Sequence, residues 1–221
     1  MHQNNEIFHV VHTLNTDQKP SYIELLRYFF PIALQAASQS VTYPLVGVIA
    51  SNGTGGPSEL AGLAQSNSIM FLIGTLGAGL ITTGMVYGRT KGGFRQFIKV
   101  NNWITILVFV LQGICALPGI SHCLFSKIMG LSGALEAYAI QAFAATLPLH
   151  VLFFMRNPYQ VILYLKKETM IASLATIGRI VFTLSITPVF CYFKLAGVVW
   201  AAVALAIGVL LEVVISWFFA R

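Results

Sequence analysis

Six long apolar stretches follow one another along the chain and are separated by short polar loops. They cover residues 25–51, 60–86, 100–120, 134–155, 169–192 and 196–219. A helix needs about 20 apolar residues to cross roughly 30 Å of hydrocarbon, and each stretch is long enough. Because a lipid-exposed backbone must satisfy its own hydrogen bonds, the stretches are predicted to be helices. The sequence therefore predicts an all-α, polytopic membrane protein with six transmembrane helices in one bundle.

The composition excludes the two main alternatives. Hydrophobic residues make up 57% of the chain and charged residues only 9%, a balance that does not suit a soluble domain of this length. A membrane barrel is also excluded, because its strands are alternating segments of about 10 residues. Six spans leave no room for a soluble catalytic domain.

The distribution of cations predicts the orientation, because basic residues near helix ends are retained in the cytoplasm. Only Lys127 and Lys194 fall on the other side, and Arg179 lies inside a span. The cytoplasmic side receives Lys19, Arg27, Arg89, Lys91, Arg95, Lys99, Arg156, Lys166, Lys167 and Arg221. We therefore predict that both termini are cytoplasmic (N-in/C-in).

The chain divides into a polar N-terminal segment and the apolar stretches that follow it. Residues 1–23 are predicted to form a polar cytoplasmic N-terminal arm, and residues 24–221 the six-helix bundle. The arm lacks the features of a cleaved signal, so the first span is expected to act as a signal anchor in the plasma (inner) membrane. The net charge of +6 lies in short juxtamembrane loops, so we expect the lipid bilayer and no nucleic acid as a partner.

Arg179 is the main candidate for a binding residue. It lies about ten residues into the fifth stretch, too deep for its side chain to reach the interface easily. One interpretation is that its guanidinium group holds an anionic part of a substrate in a central cavity. The other is an internal ion pair that determines helix packing, and the sequence leaves both open.

Two carboxylates are candidates for ion coupling, because an ionisable group inside a membrane is costly to bury. Glu212 lies two turns from the cytoplasmic end of the sixth stretch, and Glu136 lies at the outer start of the fourth. Both are placed at depths that differ from that of Arg179. For Glu136 the alternative is a favourable interaction with the helix dipole, and for Glu212 it is a position near the interface.

The first two stretches carry amides that could bind substrate. Gln35 and Gln39 share one face of the first span by the i,i+4 rule, and Gln65 and Asn67 lie in the second. These faces could line a cavity, and interhelical hydrogen bonding is the alternative. The small residues that follow, from Gly74 to Gly79, are assigned to close helix packing.

Metal binding and proteolysis find little support. The histidines and cysteines have no metal-ligand spacing, although a disulfide between Cys123 and Cys191 remains open. Residues 130–133 spell GxSG, the nucleophile motif of six-helix rhomboid proteases. The one histidine downstream is His150, about 27 Å farther along the same span by helical rise, so a catalytic dyad does not close. No enzymatic activity is predicted.

Several segments resemble one six-helix half of the multidrug, oligosaccharidyl-lipid and polysaccharide exporter superfamily. That superfamily includes multidrug and toxic compound extrusion proteins, lipid-linked precursor flippases and the progressive ankylosis protein. The likeness covers about residues 24–219. It is carried by FPIAL at 30–34, LAGLA at 60–64, the basic loop 89–99, Pro148 and LAGVVWAA at 195–202.

The resemblance implies a secondary active transporter or flippase that works by alternating access between two facing bundles. It implies a homodimer or a second six-helix half as partner, no cofactor, and coupling to a proton or sodium gradient. Gln35, Gln39, Gln65 and Asn67 would contact the substrate. The chain has no carboxylate between Arg27 and Ser51, and Arg179 is a cation inside a span. The expected substrate is therefore a small or lipid-linked anion.

Two other classes remain open. A six-helix substrate-binding subunit of a larger importer would have a preformed pocket and would bind its ligand without a second bundle. A structural membrane scaffold would tolerate the loss of Arg179 with no change beyond stability.

Overall fold

The computed structural model describes residues 21–77 and 79–221, apart from the side chains of residues 24, 27, 28, 31, 32 and 34–40. All regular elements in this part of the chain are helical. They are α1 (Tyr22–Ser51), α2 (Pro57–Gly74), α3 (Leu80–Tyr87), α4 (Lys91–Cys115), α5 (Pro118–His122), α6 (Gly133–Ala145), α7 (Leu147–Leu165), α8 (Thr169–Tyr192) and α9 (Val198–Ala220).

Five segments of the described chain are long and apolar enough to cross a membrane. They are Pro57–Tyr87, Lys91–Cys115, Gly133–Leu165, Thr169–Tyr192 and Val198–Ala220, which match the second to sixth predicted spans. The first predicted span coincides with the 30-residue helix α1, whose apolar described part is the shorter segment Val41–Ser51. The all-α membrane architecture is confirmed, and the sixth crossing and the orientation stay predictions.

The second span is broken rather than continuous. Helix α2 ends at Gly74, a 3₁₀ turn covers Thr75–Gly77, and α3 begins after Gly79. Gly79 has a φ of 80°, a left-handed conformation that glycine adopts without a Cβ penalty. The small residues that the sequence assigned to packing therefore also interrupt the helix.

The fourth span is longer than predicted, and this overturns one assignment. Helix α7 continues to Leu165, well past the predicted end at residue 155. Arg156, placed by the sequence in a cytoplasmic loop, is instead buried inside the bundle, with 6% of its surface exposed. The prediction was wrong because a charged residue lowers the hydropathy of a helix as it would that of a loop, and the sequence does not show its partner.

Helix α9 lies at the centre of the bundle and packs against α1, α6, α7 and α8. Its buried face carries small residues, among them Ala201, Ala204 and Gly208, which let neighbouring helices approach closely. A Cβ at Gly208 would lie 2.8 Å from Oγ1 of Thr183 on α8. The core around α9 therefore depends on small side chains as well as on large apolar ones.

A buried carboxylate joins the turn after α1 to the start of α9. Glu59, in the first turn of α2, accepts hydrogen bonds from the N–H of Gly55 at 2.9 Å and of Val198 at 2.8 Å. The N–H of Gly197 donates to the carbonyl of Ile49 at 2.9 Å. The connection between α1 and α2 is thus joined to the start of α9, which lies 139 residues after Glu59 in the chain.

The segment between α4 and α6, which includes the loop predicted between the third and fourth spans at residues 121–133, is largely helical. It contains α5 and a π-helical turn at Cys123–Ile128, which buries the ring of Phe125 against Phe143. Cys115, Cys123 and Cys191 are all free, so the disulfide that the sequence left open does not form.

Candidate functional site

Two arginines share one carboxylate inside the bundle. Nη1 of Arg156 on α7 lies 2.9 Å from Oε1 of Glu212 on α9, and Nη1 of Arg179 on α8 lies 3.1 Å from Oε2. Glu212 is 0% exposed and Arg179 is 1% exposed. We name Arg156, Arg179 and Glu212 the charged triad, and its formal charge is two positive against one negative.

Neutral polar groups complete the surroundings of Glu212. The hydroxyl of Thr176 donates to Oε1 at 2.7 Å, and Nε2 of Gln160 lies 3.5 Å from the same oxygen. Charge-assisted hydrogen bonds of this kind compensate a buried carboxylate for the water it has lost. The cluster therefore draws on α7, α8 and α9 at once.

All three charged residues lie at a similar distance from the ends of their helices that are predicted to be cytoplasmic. Arg156 lies nine residues before Leu165, Glu212 eight before Ala220 and Arg179 ten after Thr169. At 1.5 Å of rise per residue these are distances of about 12 to 15 Å. The prediction that Arg179 and Glu212 differ in depth was wrong, because α8 and α9 are antiparallel neighbours.

The structure places Arg179 in the internal ion pair that was one of its two sequence interpretations. Its role as an anion anchor and the role of Glu212 in ion coupling stay predictions. Glu136 lies apart from the triad, in the first turn of α6, where its carboxylate pairs with the exposed ring of His122. The helix-dipole interpretation of Glu136 is consistent with that position.

The predicted amides are only partly placed. Asn67 is buried on α2, and its Oδ1 has no hydrogen-bond partner among the described residues. Gln65 is half-buried on the same helix. The side chains of Gln35 and Gln39 fall outside the described residues.

A second polar group joins α4 to α7 beside the triad. Nδ2 of Asn157 donates to Oδ1 of Asn101 at 3.1 Å, and Nδ2 of Asn101 donates to the carbonyl of Phe154 at 3.0 Å. Each amide satisfies another buried polar group, which would otherwise be costly in an apolar bundle. Asn157 follows Arg156 directly, so the hydrogen bond between Asn101 and Asn157 also helps to hold Arg156 in place.

His150 belongs to a third polar group. Its Nδ1 lies 2.6 Å from Oε1 of Gln112, whose Nε2 lies 3.3 Å from Oγ1 of Thr146. The ring of His150 therefore helps to join α4 to α7. Ser132 of the GxSG motif occupies the N-cap position of α6, where its side chain makes no capping hydrogen bond among the described residues. Among the described residues no cluster of histidine, cysteine or carboxylate side chains could hold a metal ion.

A cavity of about 410 Å³ opens between the break in the second span and α7. Its polar lining comes from Thr75, Thr82, His150, Arg156 and Asn157. Its apolar lining includes Met70, Phe71, Leu80, Ile81, Phe153 and Phe154. Arg156 therefore belongs to both the triad and the cavity.

Sequence reasoning missed Arg156, Gln160 and Thr176. A helical signal was present, because Arg156 and Gln160 are four residues apart and Thr176 and Arg179 are three apart, so each pair shares a helix face. Arg156 and Gln160 lie beyond the predicted end of the fourth span at residue 155, and Thr176 lies inside the fifth, where a single hydroxyl group gives no distinct signal.

The fold and its apolar helices define an integral, multi-pass membrane protein. The chain is similar to a solved structure described as the inward-facing conformation of a multidrug resistance MATE family transporter of the MOP superfamily. The two are 24% identical with a TM-score of 0.56, over 80% of this chain. The match spans 41% of the solved transporter, less than half of its length. No protein-family model matches the chain, and neither does any curated protein.

Proposed function

We propose that this chain is one bundle of a secondary active transporter or flippase that moves a small or lipid-linked anionic substrate by alternating access. The observation that carries the proposal is the charged triad, in which two buried guanidinium groups share one carboxylate. Charged side chains inside a membrane protein are costly, and they commonly mark substrate or ion pathways. The excess of one positive charge favours an anionic ligand.

The fold supports the transport part of the proposal. A solved MATE transporter shares the fold over a segment that makes up 41% of its own length, so the complete machine would need a second bundle. That bundle would be a second copy of this chain or a separate partner. The triad joins three helices, so a change in its pairing would act on their relative positions.

Glu212 is the group best placed to couple substrate to an ion gradient. Its carboxylate holds both guanidinium groups, so a proton or sodium ion bound there would weaken both ion pairs. Release of Arg179 or Arg156 would then expose positive charge to an anion. In this proposal a guanidinium group of the triad pairs either with the carboxylate of Glu212 or with the substrate.

The test is flux into proteoliposomes that contain the purified chain. The probes are carboxyfluorescein, a fluorescent short-chain phosphatidylglycerol and the cation ethidium. We expect one of the anions to move and Arg179→Gln to abolish its movement, while Arg95→Gln, which alters an exposed arginine on α4, leaves it unchanged. Unimpaired anion flux in a normally folded Arg179→Gln protein would show that the anchor assignment is wrong.

Native mass spectrometry of the same preparation tests the need for a second bundle. A stable dimer in the transporting sample supports a homodimeric transporter. Transport by a clean monomer contradicts the two-bundle proposal.

A substrate-binding subunit of a larger importer is the second candidate, because the cavity of about 410 Å³ is already formed within one bundle. Measurements of ligand binding and of flux distinguish the two candidates. An importer subunit binds its ligand as a monomer and gives no flux alone, whereas the transporter requires a second bundle for flux.

A further inference from the structure

We propose that a row of buried polar side chains gives water and protons access to Glu212 from one end of the bundle. At that end α7 and α9 finish and α8 begins; it is predicted to be cytoplasmic, and we call it the inner end. The inference rests on the proposed role of Glu212 in ion coupling, and it adds that the ion is a proton and the side from which it arrives. The polar row consists of Gln160 on α7, Thr169, Ser173 and Thr176 on α8, and Ser216 on α9.

The polar row is buried, and two of its atoms lack a partner. Gln160 and Ser216 are both 0% exposed, and the three hydroxyl residues on α8 are buried as well. Oε1 of Gln160 and Oγ of Ser216 have no hydrogen-bond partner among the described residues. A buried polar group without a partner is costly, and an internal water is a common way to satisfy one. These two atoms therefore mark a place where water would be bound.

Ser216 lies on the side of Glu212 that faces the inner end. It follows Glu212 by one turn, so the two residues share a face of α9. Before Ser216, Nε2 of Gln160 lies 3.5 Å from Oε1 of Glu212. After Ser216, Nζ of Lys166 donates to the carbonyl of Ala220 at 3.4 Å. Helix α7 thus accompanies α9 over the whole interval from Glu212 to the inner end, and Ser216 lies within that interval.

The hydroxyl groups of α8 continue from Glu212 to the inner end. Thr176 donates to Oε1 of Glu212 at 2.7 Å, and Ser173 and Thr169 follow at intervals of three and four residues, on one face of the helix. These intervals are about 4.5–6 Å along the helix axis. One water that makes two hydrogen bonds of about 2.8 Å each spans a comparable distance. Since a hydroxyl group both donates and accepts, single waters between the side chains would complete a proton route.

The opposite direction is closed by apolar packing. From Val198 to Val209 the buried residues of α9 are all apolar or glycine. Helix α8 still carries Thr183 there, but a Cβ at Gly208 would lie 2.8 Å from its Oγ1, which leaves no room for water. The cavity at the break in the second span is lined by Arg156 and not by Glu212. The polar row therefore gives access from the inner end.

The step that the polar row serves is protonation of one carboxylate. A hydronium ion at the inner end becomes water, and the carboxylate of Glu212 becomes a neutral carboxyl group. The neutral group holds the two guanidinium groups less strongly. In the described part of the chain, the charged and titratable groups beside Glu212 or along the polar row are Arg156, Tyr164 and Lys166 on α7, Glu168 and Arg179 on α8, and Tyr43 on α1, which interacts electrostatically with Arg179.

The first test compares the reactivity of two buried thiols. In a protein with Cys115→Ser, Cys123→Ser and Cys191→Ser, one variant adds Ser216→Cys and the other adds Val209→Cys. Both positions are 0% exposed, four residues after and three residues before Glu212. The reagent is methyl methanethiosulfonate in detergent micelles, and intact-mass spectrometry counts the adduct.

The thiolate is the reactive form of cysteine, and a thiol buried in apolar surroundings is inert. Ser216→Cys is therefore expected to react at least about tenfold faster than Val209→Cys. Equal rates, or a faster Val209→Cys, would overturn the proposal. Ser173→Cys and Thr183→Cys, on the inner and outer parts of α8, repeat the comparison if an α9 variant does not fold.

The second test uses anion flux into proteoliposomes under an imposed pH gradient. The gradient is expected to accelerate flux in the wild type and to have a smaller effect in Ser216→Ala, which lacks the hydroxyl group of the row. Thr187→Ala removes a buried hydroxyl from the outer part of α8 and should respond like the wild type. An unchanged response in Ser216→Ala would contradict the route. If no probe moves at all, the proposed function fails, and the thiol comparison still decides whether Glu212 is reached from the inner end.

Discussion

Arg156 and Glu212 form an ion pair inside the bundle at 2.9 Å, although 56 residues separate them in the chain. Glu212 also pairs with Arg179, so one carboxylate joins α7, α8 and α9. Buried ion pairs contribute little net stability when they are compared with apolar packing, but removing one partner is costly. The triad therefore makes the bundle sensitive to the charge of a single residue.

Removal of the carboxylate is expected to be more harmful than removal of one cation. Glu212→Gln leaves two guanidinium groups facing each other without a counterion, and it should destabilise the protein by about 3–5 kcal/mol. Arg156→Gln leaves one arginine balanced by one glutamate, so its cost should be smaller. The free energy of unfolding in mixed micelles measures both.

Glu136→Gln is the control for this comparison, because its carboxylate pairs with the exposed ring of His122. A pair at an exposed position contributes about 0–1 kcal/mol. If Arg156→Gln proved as destabilising as Glu212→Gln, charge balance would not be the property that the triad supplies.

Glu59 is expected to be a structural residue of the bundle. Glu59→Ala removes the acceptor of two backbone N–H groups, and it leaves the buried donor of Val198 and the half-buried donor of Gly55 without this partner. The expected loss is about 1.5–3 kcal/mol, since bonds to a charged group are the stronger ones. Thermal unfolding in detergent should show it, whereas Glu59→Gln, which keeps one acceptor oxygen, should lose less. A Glu59→Ala protein as stable as the wild type would show that these two hydrogen bonds are dispensable.

Close contact between α2 and α6 is expected to depend on Gly62. A Cβ at this position would lie 2.9 Å from the backbone nitrogen of Ala139, and the backbone cannot move aside easily. Gly62→Ala should therefore destabilise the protein by about 1–3 kcal/mol through overpacking. Gly92→Ala is the control, because a Cβ there meets nothing within 4 Å. Equal stability of the two variants would contradict this packing.

The predicted orientation can be tested with cysteines. Cys123 is exposed in the segment predicted to be outside, and Cys115→Ser with Cys191→Ser leaves it as the one thiol. A membrane-impermeant maleimide should label this protein in intact cells. Replacing Cys123 as well and adding Gly92→Cys should give labelling only after permeabilisation. The reverse pattern would invert the topology.

The broad fold was accessible from the sequence because burial in a bilayer leaves a strong signal. Apolar stretches predicted the second to sixth spans, and the ends of α8 at Thr169 and Tyr192 agree with the predicted bounds. The break in the second span was missed, since a run of small residues fits both close packing and a helix break. The end of the fourth span was missed because Arg156 lowers the hydropathy there.

The candidate site was accessible only in part. Arg179 and Glu212 were identified as intramembrane charges because any such charge needs a compensating interaction. Their pairing was not predicted, because hydropathy assigns depth along each helix separately and says nothing of which helices are neighbours. The cavity left no sequence signal, since its lining comes from segments some 70 residues apart.

By itself, the sequence determined that this chain is a helical membrane protein with isolated charges inside its spans. That information is local, since each residue's preference for lipid or water adds to that of its neighbours in the chain. The tertiary structure alone decided that Arg156 and Arg179 share Glu212 and that a cavity opens beside them at the break in the second span. Such pairings depend on how α7, α8 and α9 pack, and a buried charge selects its partner by distance in space rather than by separation in sequence.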